Sequence, residues 1–180
     1  MMITPNVSPV PQLTHDVAEQ ALAHFAQSPH DVILTSAYKV RDEQPQLANL
    51  IAAMMTLLNG PYAKYDFTEG VYLTWFLLEL QAHQAGRQLP FVSPDDCRAF
   101  LAQLQADIGD TDTVEDVAER RFTTLIAQNN PELAWAMNEV TRYRVGKSSI
   151  MVGILVVYCV LNQGTSHLSS GEAYEVVASA

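Results

Sequence analysis

Apolar residues recur along this chain at the three- and four-residue spacing of amphipathic helices, and hardly anywhere with the alternation of strands. Val17, Ala18, Ala21, Leu22 and Phe25 form the first stripe, which predicts a helix over 15–27 stopped at Ser28-Pro29. Leu47, Leu50, Ile51, Met54, Met55 and Leu58 form the next, predicting a helix over 45–59 between Pro45 and Asn59-Gly60-Pro61. From Val71 to Leu80 the chain is apolar nearly all round, broken only by Thr74 and Glu79. Such a helix, expected over 69–85, belongs at the centre of a bundle. Further stripes predict helices over 94–108, 113–129 and 131–144. A last, almost uniformly apolar one follows over 149–162.

Two start signals share one design. In Ser28-Pro29-His30-Asp31 and in Ser93-Pro94-Asp95-Asp96 a serine can accept from the N–H three residues on. The proline is preset for the first helical position, and a carboxylate can reach back to the cap. The stretch Val32 to Val40 is nonetheless rich in β-branched residues, so 29–41 is open to helix or strand, with the start signal favouring helix.

Seven or eight helices with no strand series predict an all-α, single-domain bundle built around the central apolar helices 69–85 and 149–162. Met1 to Leu13 carries three prolines and no charge, the composition of an extended N-terminal arm that orders only by docking. The helical domain is expected over 14–164. Residues 165–180, small and polar, read as a flexible C-terminal tail. No internal repeat appears, and the short connections argue against a domain boundary.

Composition sharpens this picture in two places. Twenty acidic residues against ten basic ones leave a formal charge of −10. A field of that sign opposes nucleic acid and anionic membranes, whose recognition begins with Lys and Arg meeting phosphate, and favours a basic partner. The longest apolar run, Ile150 to Leu161, has twelve residues and contains Gly153, against the roughly 20 a membrane span requires. The first basic residue is Lys39, so no charged n-region of a secretory signal is present. Cys97 and Cys159 sit among apolar residues without zinc-ligand spacing. A cytoplasmic protein with reduced thiols is expected.

Most candidate motifs fail on chemistry. Gly146-Lys147-Ser148 resembles the end of a phosphate-binding loop, but Thr141 stands where the motif needs glycine, and a helix precedes it where a strand is required. The acidic run from Asp110 puts Val114 and Glu115 where a calcium loop needs an oxygen ligand and a glycine. His15-Asp16 and His30-Asp31 could belong to a helical metal-dependent phosphohydrolase, with Asp66 among possible further ligands. Each pair is equally explained by the acidic first turn of a helix. Glu79 and His83, four apart, could share a proton or a metal, yet one pair is not a metal site. No complete ligand set is visible, so no metal and no cofactor is expected.

Two features keep a functional reading. On the 131–144 helix the inner face is Leu133, Ala136, Met137 and Val140, which puts Trp135 on the other side with Asn138, Glu139 and Arg142. An aromatic residue among polar neighbours has the composition of an interaction anchor, unless another helix or the arm covers it. Arg142, Arg144 and Lys147 also concentrate positive charge just before Ser148-Ser149 opens a helix, a combination that suits an anion. The competing explanation is that these cations serve the preceding helix end and nearby carboxylates. The leading expectation is a non-enzymatic protein-binding, regulatory or accessory domain, with a protein partner or a second copy engaged through that patch. The alternative is a small-molecule or phosphate-ester-binding domain, in the extreme a hydrolase, using the basic helix start together with histidines. Nucleic acid ranks below both.

Overall fold

The computed structural model describes residues 10–168 other than residue 111, with side chains through Gln163. Among these residues the chain is helical and contains no strand. The elements are α1 (His15–Gln27), α2 (Pro29–Glu43), α3 (Pro45–Met55), α4 (Pro61–Gln84), α5 (Pro94–Asp107), α6 (Val114–Arg121), a π-helical turn (Phe122–Ile126), α7 (Ala127–Asn129), α8 (Pro131–Thr141) and α9 (Lys147–Leu168).

Local chemistry sets most of the starts. Proline occupies the first turn of α2, α3, α4, α5 and α8, where its missing N–H removes no helical bond. At α5 the Ser93 hydroxyl accepts from the Asp96 amide at 3.1 Å while the Asp96 carboxylate accepts from the Ser93 amide at 2.8 Å. Thr113 and Asp116 make the same reciprocal pair at α6, at 3.2 and 2.9 Å. Ser28 precedes α2 without a side-chain capping bond, so that start rests on Pro29 and on packing. The open segment 29–41 is helix: Val32, Ser36 and Val40 are buried at four-residue spacing.

Several boundaries differ from the sequence expectation. α3 ends at Met55 and α8 at Thr141, each short of the expected end at 59 and 144. α4 begins at Pro61 rather than near 69, about two turns earlier. Its first turns carry Tyr62, Lys64, Tyr65 and Asp66, so no apolar stripe marks them. α9 runs from Lys147 to Leu168 instead of 149–162, passing through Asn162-Gln163-Gly164 without a break. Of the expected tail, 165–168 thus has helical backbone, and 169–180 lie outside the described residues, as do residues 1–9 of the expected arm.

α4 and α9 share the most extensive helix–helix contact; α1 and α2 pack on α4, while α5 and α6 pack on α9. The two long helices approach backbone to backbone. A Cβ on Gly70 would lie 2.2 Å from the Ile150 carbonyl oxygen, and one on Gly153 would lie 2.4 Å from that of Phe67. Only glycine permits this approach. Phe67, Leu73, Trp75, Leu77 and Leu78 from α4 meet Ile150, Ile154 and Val157 from α9 in the solvent-free core. Residues 10–13 dock on the start of α8. Val10 and Leu13 are buried, and Asn130 accepts from the Leu13 amide at 3.1 Å while donating to the Pro11 carbonyl at 3.0 Å.

Candidate functional site

Trp135, Asn138, Glu139 and Arg142 fall on one side of α8 and its end, but they do not form one open patch. Asn138 and Arg142 are exposed, whereas Trp135 is half-buried and packed on the core. The His15 ring of α1 lies against its indole, with centroids 4.6 Å apart. His15 is itself held by Glu132, whose carboxylate is 2.9 Å from Nδ1, and by Glu19 at 3.2 Å. The Glu132 hydrogen bond raises the His15 pKa above its usual 6.5, and Glu19 adds to this. Arg142 is paired with Glu139.

Two of the three cations expected to hold an anion, Arg142 and Arg144, already face carboxylates. Arg144 reaches across to α4 and grips the buried Glu69 with both terminal nitrogens, at 2.5 and 2.6 Å. Asp66 adds a longer contact at 3.9 Å. Ser148 donates to Glu119 of α6, and Ser149 is buried in the first turn of α9. Lys147 alone of this group is an exposed cation for which no ion pair is found among the described residues. The Arg144 fork ties the α8–α9 connection to α4, a fixed joint in place of an empty anion cradle.

That joint assembles a surface spread across distant parts of the sequence. On α4, Tyr62, Tyr65, Asp66 and Glu69 fall within an arc of about 100°, so both tyrosines project from the stripe that Arg144 grips. Gly146 rests directly on this stripe: a Cβ there would meet the Asp66 carboxylate oxygen at 1.8 Å. Burial against this connection pushes the Asp66 carboxyl above its ordinary pKa, and the Arg144 charge only partly opposes the shift. Beside the joint stand Tyr143, 90% exposed, and Val145, fully exposed. Tyr62 and Tyr65 are 84% and 66% exposed. The corner therefore presents three solvent-facing phenol rings and an isopropyl group on a rigid ion-paired base. Glu119, joined through Ser148, begins an acidic margin that continues along α6 through exposed Asp116.

Among the described residues the histidines do not converge on a metal-binding set. His24 and His83 line a concavity of about 280 Å³ between α1, α2 and α4, together with Asp31, Lys39 and Glu79. Glu79 is engaged on both oxygens, by Lys39 and by the Trp75 indole N–H at 2.7 Å. It is no free base for His83. His30 stays on the surface, and no group of three ligating side chains able to hold a metal occurs among the described residues.

Comparison with protein-family models, curated proteins and solved structures finds no match for this chain. The functional reading therefore rests on the geometry of its surfaces and concavities.

Proposed function

We propose that this chain is a non-enzymatic protein-binding domain that docks a basic segment of a partner protein on the corner formed by Tyr62, Tyr65, Tyr143 and Val145. The observation that carries the reading is the exposure of three tyrosines on two segments locked together by the Arg144–Glu69 fork. Tyrosine supplies large, stiff contact area at small entropic cost, which is why it recurs among interface anchors. Three such rings standing in water on a fixed base have no evident role in packing.

Charge selects the partner class. The whole chain carries −10, and the acidic margin of α6 borders the corner, so a basic surface is steered toward the chain, while exposed Lys64, Arg142 and Lys147 put positive charge at the corner itself. Arg and Lys side chains also stack favourably on phenol faces. Arg142 and Lys147 lie at the rim, where they disfavour a partner whose positive charge falls in the wrong register.

The test is a heteronuclear NMR titration of the full chain with a short helical peptide of leucine and arginine. Saturable shifts centred on 61–66 and 142–147, absent in the Tyr62→Ala/Tyr65→Ala variant, support the reading. Shifts spread over the acidic faces without saturation, or unchanged by the double substitution, refute it.

A further inference from the structure

A second site lies along the opposite half of α9, away from the tyrosine corner. Between α5, the π-helical turn and α9 the chain encloses a concavity of about 410 Å³, within the range of small-molecule sites. Its floor is apolar, built from Phe100, Leu104, Leu125 and Leu155. Its polar groups are unusual in kind. Gln12, Gln103, Asn129, Asn162 and Gln163 contribute amides around the rim, and the only charges among the described residues that line it are Asp107 and Arg121.

Those two charges neutralise each other. Arg121 places Nη2 at 2.5 Å and Nε at 3.1 Å from one Asp107 oxygen, and Gln103 donates to the other at 3.1 Å. The titratable groups facing the space from α9 stay uncharged near neutrality. Burial pushes the Cys159 thiol up to about 12 and raises the Tyr158 phenol as well. The wall thus offers a nucleophile in no reactive state and no unbalanced charge.

The π-helical turn lies within this wall and narrows the arc its residues span. In an unbroken α-helix, Asn129 would stand about 80° round from Arg121, since residues eight apart drift by that amount at 3.6 per turn. The wider turn over Phe122–Ile126 absorbs this drift, and Arg121, Leu125 and Asn129 all line the same space. A π-turn is rare inside a helix and is frequently found at functional sites.

We infer that this concavity binds a neutral, largely apolar small molecule carrying a hydrogen-bonding group. An apolar body matches the floor. An N–H or hydroxyl head matches the side-chain carbonyl oxygens of Gln12, Gln103 and Asn129, whose NH2 groups already donate to the Asn129 backbone carbonyl, the Asp107 carboxylate and the Leu125 backbone carbonyl. A charged head would have to displace one partner of the Asp107–Arg121 pair.

Two probes sharing one ring system test both parts of the inference on the full chain. N-phenyl-1-naphthylamine is neutral with one N–H; its 8-sulfonate analogue keeps the ring system and adds an anionic sulfonate group. The neutral probe should bind saturably, one per chain, and at least about tenfold more tightly than the sulfonate, the scale of one unmatched polar group. Leu125→Trp, which fills the space, and Gln103→Trp, which narrows its mouth, should each weaken the neutral probe by about tenfold or more. Gln103 is on the surface, so the second variant keeps the test decisive if the first fails to fold. No saturable binding, binding indifferent to the tryptophan substitutions, or tighter binding of the sulfonate at this site overturns the inference.

Discussion

Replacing Gly153 with alanine adds one methyl group where α9 crosses α4, and the expected outcome is a loss of stability although alanine is the better helix former. Elsewhere in a helix this exchange gains about 1 kcal/mol. Here the new Cβ would sit 2.4 Å from the Phe67 carbonyl oxygen and 2.7 Å from the Val71 amide nitrogen, where ordinary contact begins at 3.4 Å. The obstacles are backbone atoms, so no side chain can rotate away. The helices must separate by roughly an ångström, a gap that forfeits a quarter to a half of the dispersion energy between the facing atoms. Phe67, Val71, Ile150 and Ile154 all lie along this seam without solvent exposure. Overpacking of a core costs about 1–3 kcal/mol and sometimes more. An unyielding backbone obstacle belongs at or beyond the upper end, about 3–5 kcal/mol, which less the helix gain of about 1 kcal/mol leaves a net loss of about 2–4 kcal/mol. In urea the midpoint should fall at constant slope. In a thermal scan, a loss near the middle of that range lowers Tm by about 6–12 °C for a chain of this size. Ala102→Gly, on the exposed face of α5, provides the reference and should cost only about 1 kcal/mol. A neutral or stabilised Gly153→Ala would show that α4 and α9 do not meet at this distance.

Three further outcomes follow from the polar structure. Arg144→Ala strands the buried Glu69 and should cost roughly 2–4 kcal/mol, whereas Arg142→Ala, which breaks an exposed pair, should cost under about 0.5 kcal/mol; equal effects in urea unfolding would remove the joint from the account. His15 binds its proton more tightly folded than unfolded because of Glu132. Its contribution is therefore full below the ordinary histidine value of 6.5 and declines as pH rises through the raised folded value. A His15→Asn variant should lack that decline in a series of unfolding curves. Cys159, with its pKa near 12, has only about one thiol in ten thousand ionised at pH 8, and native protein should resist alkylation there until it unfolds. Rapid labelling of Cys159 by iodoacetamide, followed by mass spectrometry, would contradict its raised pKa.

The sequence carries the fold more openly than the surfaces. Periodicity identifies helices wherever one face is apolar, as in α1 and α5, and the Ser93-Pro94-Asp95-Asp96 signal forms the reciprocal cap its chemistry implies. The first turns of α4 escape detection because Tyr62, Lys64, Tyr65 and Asp66 give them no apolar stripe, and that same composition makes the corner. A helical wheel orients Trp135 on α8 but cannot show that His15 of α1 stands against it. The basic run 142–147 is visible as a charge reversal. The counter-charges of Arg144, Asp66 and Glu69, come from α4, and Glu119 of α6 takes the Ser148 hydroxyl, so most of a plausible anion cradle is occupied by the chain's own carboxylates. The π-turn leaves no mark in the residues Phe122 to Ile126, and the concavity beside it draws on four stretches of chain. Gly70 and Gly153 are readable as glycines. Their meaning depends on which helices cross.

The most direct test of the binding account is the affinity of the arginine–leucine peptide for the full chain and for its Tyr62→Ala/Tyr65→Ala variant, measured by calorimetry at constant salt. Both side chains stand mostly in water, so the variant should unfold at the native temperature within the spread of surface substitutions, about 0.5 kcal/mol. Its affinity should nonetheless fall by roughly thirtyfold, the loss of about 2 kcal/mol that truncated anchors show. An unchanged affinity in a normally folded variant would contradict the assignment of this corner as the docking surface.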